Sequence, residues 1–136
     1  MGLDLVDRIK KHEGYRRFVY QCTMDKQTIG YGTMIEEGGH GVPEHIAELL
    51  LLDYLETIQA RLKAHEWYTG LDEARQECIL EMAYQMGVEG VLAFRNMIDS
   101  LTSQDWERAR DHALDSLWAR QTPARARDVA ERLALG

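Results

Sequence analysis

Two reactive side chains stand nine residues apart near the start of the chain, in the stretch "HEGYRRFVYQCTMDKQTIGYGT". The first is Glu13. A carboxyl group held against apolar neighbours such as Tyr15 has a raised pKa and can act as a general acid. The second is Cys22, whose thiolate is a strong nucleophile and a base. Thr28 follows at the start of "TIGYGT". Each also has an ordinary interpretation: a solvated glutamate at a helix end, a small buried cysteine and a strand threonine.

A short helix and a small sheet are predicted to position these side chains. Apolar residues recur at helical spacing over residues 3–12, and Gly14 is a natural stop, so Glu13 should lie at the C-terminal end of this helix. Residues 18–33 combine β-branched and aromatic residues with glycines, which predicts a hairpin or small sheet. The glycine-rich segment 36–43 predicts a flexible turn.

The remainder of the chain predicts helices. Pro43 suits the first turn of a long helix that reaches about residue 64. Asp72 can cap the next helix, "EARQECILEMAYQM", and Gly87 can end it. A further helix is expected over about 91–101.

Two more helix starts carry capping residues. Ser103 is expected to cap "QDWERARDHALDSLW". Thr122 followed by Pro123 is the expected cap and first residue of "ARARDVAERLAL". Because free N–H groups at a helix start can bind an anionic or polyhydroxyl ligand, the segment "WARQTPARAR" is also a candidate binding element.

We expect one domain with an α+β fold that is mainly α. Its predicted parts are a small N-terminal lobe with a β-sheet over about 13–42, a connecting helix over about 43–64 and a helical C-terminal lobe over about 65–136, on which helix 3–12 packs. A chain of 136 residues with 45% hydrophobic and 29% charged residues is typical of such a domain. No apolar run approaches the roughly 20 residues of a membrane span, and no signal-peptide core is present, so membrane insertion is not expected.

The charge and the cysteine and histidine spacing exclude several classes of function. A net charge of −7 argues against nucleic acid as a partner, because phosphate binding requires clustered Lys and Arg. No metal-ligand spacing and no nucleotide-binding motif is present, so neither a metal nor a cofactor is expected. Cys22 and Cys78 are expected to be reduced thiols, and Cys78 should lie in the core, as should Trp67, Trp106 and Trp118.

Three blocks of the sequence form a family pattern in a fixed order, over about residues 3–133. They are "IKKHEGYRRFVYQCTMDKQTIGYGT", "LDEARQECILEMAYQMGVEGVLAFRNMI" and "LWARQTPARARDV". This combination resembles the phage-type lysozymes (endolysins or muramidases) of glycoside hydrolase family 24. The resemblance implies a two-lobed lysozyme-like fold. It also implies hydrolysis of the β-1,4 bond between N-acetylmuramic acid and N-acetylglucosamine in peptidoglycan.

The resemblance also implies roles for individual residues. Glu13 becomes the general acid on the glycosidic oxygen, and Thr28 lies beside the attacking water and the anomeric carbon. The implied substrate-binding residues are Gln85, Arg125, Thr122 and Tyr31. Arg125 is expected to pair with Glu13, and Thr122 is expected to cap the helix that carries Arg125.

Two positions depart from the family pattern. Cys22 stands where the family has its catalytic aspartate, and Thr33 stands where its "TIGxGH" strand ends in histidine, so an ion pair from that strand to the long helix cannot form. Only roughly a few per cent of an ordinary thiol is ionised at neutral pH, unless nearby cations lower its pKa. The sequence neighbours that carry such cations are Arg16, Arg17 and Lys26. Asp25 is the nearby carboxylate that would replace the thiolate.

Three functions remain open at this point. The first is a muramidase that lyses bacterial walls for a phage. The second is a non-hydrolytic peptidoglycan-binding or virion structural domain with a lysozyme fold, which Cys22 and the acidic charge favour. The third is a lytic transglycosylase, which needs the acid but no opposing carboxylate. We expect a monomer that acts on peptidoglycan glycan strands. It would reach the periplasm and cell wall from the host cytoplasm through another agent such as a holin, or be carried in the virion.

Overall fold

The computed structural model describes residues 2–136, which form eight helices and three strands. The helices are α1 (Leu3–Glu13), α2 (Glu44–Leu62), α3 (Glu66–Thr69), α4 (Glu73–Leu92), α5 (Arg95–Thr102), α6 (Trp106–Leu114), α7 (Leu117–Gln121) and α8 (Pro123–Leu135). The strands are β1 (Arg16–Gln21), β2 (Gln27–Gly30) and β3 (Thr33–Met34). This confirms the predicted α+β fold that is mainly α.

The chain divides into two compact units. The first ends at Leu50, and the second is Leu51–Gly136. The boundary therefore falls inside α2, and α1 belongs with the sheet in the first unit. The lobe limits that we predicted, and the packing of the first helix on the C-terminal lobe, stay predictions.

The sheet of the first unit is antiparallel, with β2 between β1 and β3. Tyr20 and Met34 both pair with Thr28, on the two sides of the central strand. A tight turn joins β1 to β2: the Asp25 N–H donates to the Cys22 carbonyl at 2.8 Å, with Asp25 in the left-handed region at φ +60°. The predicted hairpin is thus confirmed, and it is extended by a short third strand.

The second unit contains the apolar core. Its largest fully buried side chains include Tyr68, Ile79, Met82 and Leu133. Cys78 is fully buried among them, as predicted. Of the three tryptophans expected in the core, Trp118 is buried. Trp67 and Trp106 are partly buried and pack against the core.

The predicted start and the predicted end of α6 are both wrong. Ser103 does not cap α6, because Gln104 takes a left-handed backbone at φ +60° and the Asp105 carboxylate accepts the Arg108 N–H at 3.2 Å instead. α6 also stops at Leu114, so "QDWERARDHALDSLW" is not one helix.

Gly87 ends the first helical segment of α4, as predicted. Its backbone is non-helical, at φ 82° and ψ 161°, and a second helical segment continues to Leu92. The helix that we expected over 91–101 therefore begins only at Arg95, after a break at Ala93 and Phe94.

An arginine that sequence reasoning missed ties α4 to the C-terminal end of α8. Arg75 is buried, and its guanidinium donates to the carbonyls of Leu133 at 2.7 Å and Ala134 at 3.0 Å. It also donates to the Asp72 carboxylate at 2.8 Å and lies over the Trp106 ring, 3.8 Å from its centroid. Asp72 in turn caps α4, as predicted, by accepting the Arg75 N–H.

Candidate active site

Glu13 is the last residue of α1, as its sequence context predicted. Gly14 follows it at φ +71°, and the Gly14 N–H closes the helix on the Lys10 carbonyl at 2.8 Å. The Glu13 carboxylate lies directly against Gly32, in the turn between β2 and β3. A Cβ atom at position 32 would stand 2.5 Å from Oε2 of Glu13, and Gly32 itself has φ +80°. This close approach, which sequence reasoning missed, leaves no room for a Cβ atom at position 32 unless the Glu13 side chain moves.

A cation and two tyrosines surround the same turn. The Lys10 ammonium lies 5.3 Å from the centroid of the Tyr31 ring, and the Tyr15 ring lies 5.7 Å from Tyr31. Lys10 and Glu13 are three residues apart and so lie on one face of α1. Tyr31 is 43% exposed, and its predicted contact with a saccharide stays a prediction.

The surroundings of Glu13 are more open than we expected. Glu13 is exposed, and so is the aromatic side chain of Tyr15 that we expected to shield it. The carboxyl group is therefore accessible to a large polymer.

Cys22 follows directly on β1 as a free, partly exposed thiol. Hydrogen bonds lower its pKa: the largest contribution is that of the Lys26 backbone, followed by the Met24 backbone and the Thr28 hydroxyl. An ionised sulfur accepts such bonds strongly, so they favour the thiolate.

The cations that we expected to lower this pKa have other partners. Arg16 lies over the Tyr20 ring at 5.0 Å, and Arg17 lies over the Phe18 ring at 5.9 Å. The Lys26 ammonium forms an ion pair with the Glu36 carboxylate at 3.8 Å. The causes that lower the pKa of Cys22 are hydrogen bonds rather than nearby cations, so the proposed electrostatic cause is wrong.

Thr28 and Cys22 are brought together by the β1–β2 hairpin. Thr28 is 2% exposed, and its hydroxyl donates to the Lys26 carbonyl at 2.8 Å. Because a hydroxyl has one proton, Thr28 cannot donate to this carbonyl and to the Cys22 sulfur at once. The 2.8 Å geometry favours the carbonyl while the thiol is neutral, and an ionised sulfur competes for the proton. Asp25 is exposed at the tip of the turn, and its role as a substitute base stays a prediction.

In the second unit, Gln85 and Thr122 belong to one hydrogen-bonded cluster. The Trp118 indole N–H donates to the side-chain oxygen of Gln85 at 2.8 Å, and the side-chain NH₂ group of Gln85 donates to the Thr122 hydroxyl at 3.5 Å. Thr122 stands at the N-cap position before Pro123, but its side chain accepts no capping bond. Its hydroxyl donates instead to the Trp118 carbonyl at 3.0 Å, so the predicted side-chain cap is wrong.

Arg125 has a carboxylate partner within its own unit. Its Nε is 3.5 Å from Glu81, whose other oxygen accepts from Arg132 at 2.8 Å. That hydrogen bond raises the pKa of Arg132. The predicted pairing of Arg125 with Glu13, a residue of the first unit, stays a prediction, and sequence reasoning did not identify Glu81.

Residues 2–136 contain no group of three or more His, Cys, Asp or Glu side chains placed to hold a metal ion. None of the helices in this range is both long and apolar enough to cross a membrane.

Comparison with known proteins adds the following. The family model described as phage lysozyme matches residues 10–132. The chain is 29% identical, over 99% of its length, to the pre-baseplate central spike protein Gp5 of Enterobacteria phage T4, and it spans only 28% of that protein. It is 27% identical to probable T4-type lysozyme 1 of Dictyostelium discoideum, over 100% of this chain and 96% of the relative. Probable T4-type lysozyme 2 of the same organism is 24% identical, over 95% and 92% respectively.

Proposed function

Because this chain belongs to the phage lysozyme family, we propose that it cleaves the β-1,4 bond between N-acetylmuramic acid and N-acetylglucosamine in peptidoglycan. Membership supports a lysozyme-like peptidoglycan hydrolase; the bond, the residue roles and the setting are our proposal. One observation carries it: the Glu13 carboxylate occupies the space that Gly32 leaves free, in the same unit as Cys22 and Thr28.

Glu13 acts as the general acid. In its protonated form, it gives its proton to the glycosidic oxygen while the bond from that oxygen to the anomeric carbon breaks. The departing sugar then leaves as a neutral alcohol. This increases the rate of bond cleavage by the factor typical of general acid catalysis, about 10²–10⁴-fold. The exposure of Glu13 supports this role, since a glycan strand can reach it.

Cys22 supplies the opposing anion. As a base, the thiolate takes a proton from the water that attacks the anomeric carbon, and the sugar configuration inverts. As a nucleophile, the thiolate forms a carbon–sulfur bond to the anomeric carbon, which water then cleaves, and the configuration is retained. In both cases Thr28 supports the site with its hydroxyl, next to the sulfur and the attacking water.

The lowered pKa of Cys22 fits this role. An ordinary carboxyl group loses its proton at lower pH than a thiol, so only a fraction of molecules holds a protonated acid and a thiolate together. Lowering the pKa of the thiol enlarges that fraction, because more thiolate is present at each pH.

Residues of the second unit bind and orient the substrate in this proposal. Gln85 and Thr122 hydrogen-bond to the saccharide from their shared cluster. Arg125, held by Glu81, acts as a positioning residue rather than in proton transfer. Tyr31 of the first unit contributes an accessible aromatic face.

The test is mass spectrometry of the muropeptides released from purified peptidoglycan. We expect products with reducing ends from the wild type and a loss of about 10²–10⁴-fold in Glu13→Gln. Glu131→Gln, which removes an exposed carboxylate from α8, is the matched control and should keep full activity. Full activity in a correctly folded Glu13→Gln would refute the proposal, and 1,6-anhydro ends would instead identify a lytic transglycosylase.

A second candidate is a peptidoglycan-binding domain of the virion. The likeness to a part of a phage spike protein, together with Cys22 at the position of the expected aspartate, favours it. It predicts that the chain co-sediments with insoluble peptidoglycan and releases no muropeptide. Under the leading proposal the enzyme acts as a monomer on the host cell wall. It arrives there from the host cytoplasm through another agent such as a holin, or as part of the virion.

A further inference from the structure

The turn between β2 and β3, which carries Gly32, is held by few contacts of its own. Strand pairing ends at Gly30 and resumes at Thr33. Gly30 and Gly32 both have positive φ, at +69° and +80°, and glycine restricts the backbone least of all residues. Only one side chain of residues 2–50 is buried, so packing does not fix the turn against the end of α1. The contact of Gly32 with the Glu13 carboxylate therefore depends on other interactions.

The ring of Tyr31 supplies two such interactions, one with a residue on each side of Glu13 in the sequence. The Lys10 ammonium lies 5.3 Å from the centroid of this ring, within the roughly 6 Å over which a cation is attracted to an aromatic face. The Tyr15 ring lies 5.7 Å from it at an angle of 48°, within the range of about 4.5–7 Å for stabilising aromatic pairs. Among residues 2–136, Lys10 has no carboxylate within 4.0 Å, so the ring is the partner of its ammonium.

We infer that Lys10 is a positioning residue: together with Tyr15 it holds the Tyr31 ring and thereby keeps Gly32 against the Glu13 carboxylate. The inference rests on the proposed function and adds to it a residue that touches neither the substrate nor the reacting atoms. Because Tyr31 and Gly32 are neighbours in one turn, a shift of the ring moves the glycine with it. Without this restraint, Glu13 occupies positions from which it does not reach the glycosidic oxygen, and misplacement of a reacting group is costly in rate.

A neighbouring lysine separates this role from a general effect of charge. If Lys10 only attracted an anionic wall polymer, any exposed cation of the same helix turn would serve equally well. Lys11 also lies in the last turn of α1, and both lysines are exposed. Consecutive residues of a helix point about 100° apart, so Lys11 carries the same charge in a different direction from Lys10. Lys11→Met is therefore the matched control for Lys10→Met.

The test compares the kinetics of the lysine variants on solubilised glycan strands. For Lys10→Met, we expect kcat to fall about two- to fivefold, the effect of one exposed cation–π contact, with KM unchanged. Lys10→Arg should keep most of the wild-type kcat, because a guanidinium also stacks on an aromatic face. Lys11→Met should match the wild type. A rise in KM with unchanged kcat in Lys10→Met, or equal losses in Lys10→Met and Lys11→Met, would overturn the inference.

An NMR measurement separates this inference from the proposed function. The ε-methylene protons of Lys10 should be shifted upfield by the Tyr31 ring and should lose this shift in Tyr31→Leu. The amide signal of Gly32 should move in Lys10→Met and stay in place in Lys11→Met. An unmoved Gly32 signal in Lys10→Met would overturn the inference even if kcat falls. If the wild type hydrolyses no glycan strand, the proposed function fails, and the NMR signals alone decide whether Lys10 holds the turn.

Discussion

The two units of the chain are built in opposite ways. In the second unit, apolar side chains from α2 to α8 form a continuous buried core. Among residues 2–50, by contrast, Thr28 is the one buried side chain, and Phe18 is 77% exposed. The first unit is shaped by backbone hydrogen bonds of the sheet, by glycines with positive φ and by stacked cations, rather than by packing.

This difference separates stability from chemistry. The proposed acid and thiolate lie in the unit with almost no core, where side chains remain accessible to a large polymer. Most of the apolar burial, which is the dominant favourable term in folding, lies in the other unit. Substitutions in the buried core of the second unit should therefore change the free energy of unfolding, and substitutions around Glu13 and Cys22 in the first unit should change turnover.

The largest effect on stability is expected from Arg75→Met. The substitution leaves the Leu133 and Ala134 carbonyls without their donor and removes the guanidinium partner of the Asp72 carboxylate, at a cost of about 2–4 kcal/mol in the free energy of unfolding. Arg61→Met is the matched control, because it breaks an exposed ion pair with Glu89 that is worth about 0–1 kcal/mol. Urea unfolding measures both. Equal losses in the two variants would show that the buried arginine does not clamp the helices.

The sharpest effect on activity that a control of equal stability should not share is expected from Gly32→Ala. The new methyl group would stand 2.5 Å from the Glu13 carboxylate and displace it, so lysis should fall by about tenfold or more. Gly30→Ala is the control: it has a similar φ of +69° but open space around the new methyl group. Both variants should lose about 1–2 kcal/mol of stability from the left-handed backbone. If both also lose the same activity, the contact with Glu13 has no role.

The smallest effect on stability is expected from Arg125→Ala. Its pair with Glu81 is long and partly exposed, so the loss of stability should be at most about 1 kcal/mol. Lysis should fall more clearly, mainly through KM, and Arg125→Lys should restore part of it. A large drop in melting temperature with unchanged lysis would reverse this assignment.

Sequence patterns were sufficient for the features that depend on neighbouring residues. They predicted Glu13 at a helix end, the hairpin from Phe18 to Thr33 and the burial of Cys78. They failed where two candidates for one task lie close together, since Asp105 rather than Ser103 caps α6.

Contacts between distant parts of the chain were invisible in the sequence. The bonds of Arg75 to the end of α8 span 58 and 59 residues, and no local pattern marks them. The space that Gly32 provides for Glu13 depends on how α1 meets the β2–β3 turn. Charge counting around Cys22 likewise identified the wrong cause, because hydrogen bonds set by the fold of the hairpin lower the pKa of this thiol.

We propose that ionised Cys22 performs the task of the family's aspartate. Two kinds of measurement test this role. Iodoacetamide should label Cys22 with a midpoint below the ordinary thiol pKa of about 8.5, because hydrogen bonds lower the pKa of this thiol. Cys78 is the internal control: burial raises its pKa, so it should react far more slowly.

The most direct measurement is the lysis rate against pH for the wild type, Cys22→Ser and Cys22→Asp. The wild-type rate should be greatest between the pH at which an ordinary carboxyl group loses its proton and the pH at which the thiol does, because the fraction of molecules that holds both a protonated acid and a thiolate is greatest there. Cys22→Ser should lose most of the turnover across this range, because a hydroxyl does not ionise there. Cys22→Asp should match or exceed the wild type and remain active at lower pH. If Cys22→Ser lyses cells as fast as the wild type at every pH, the thiolate takes no part in catalysis and the account is wrong.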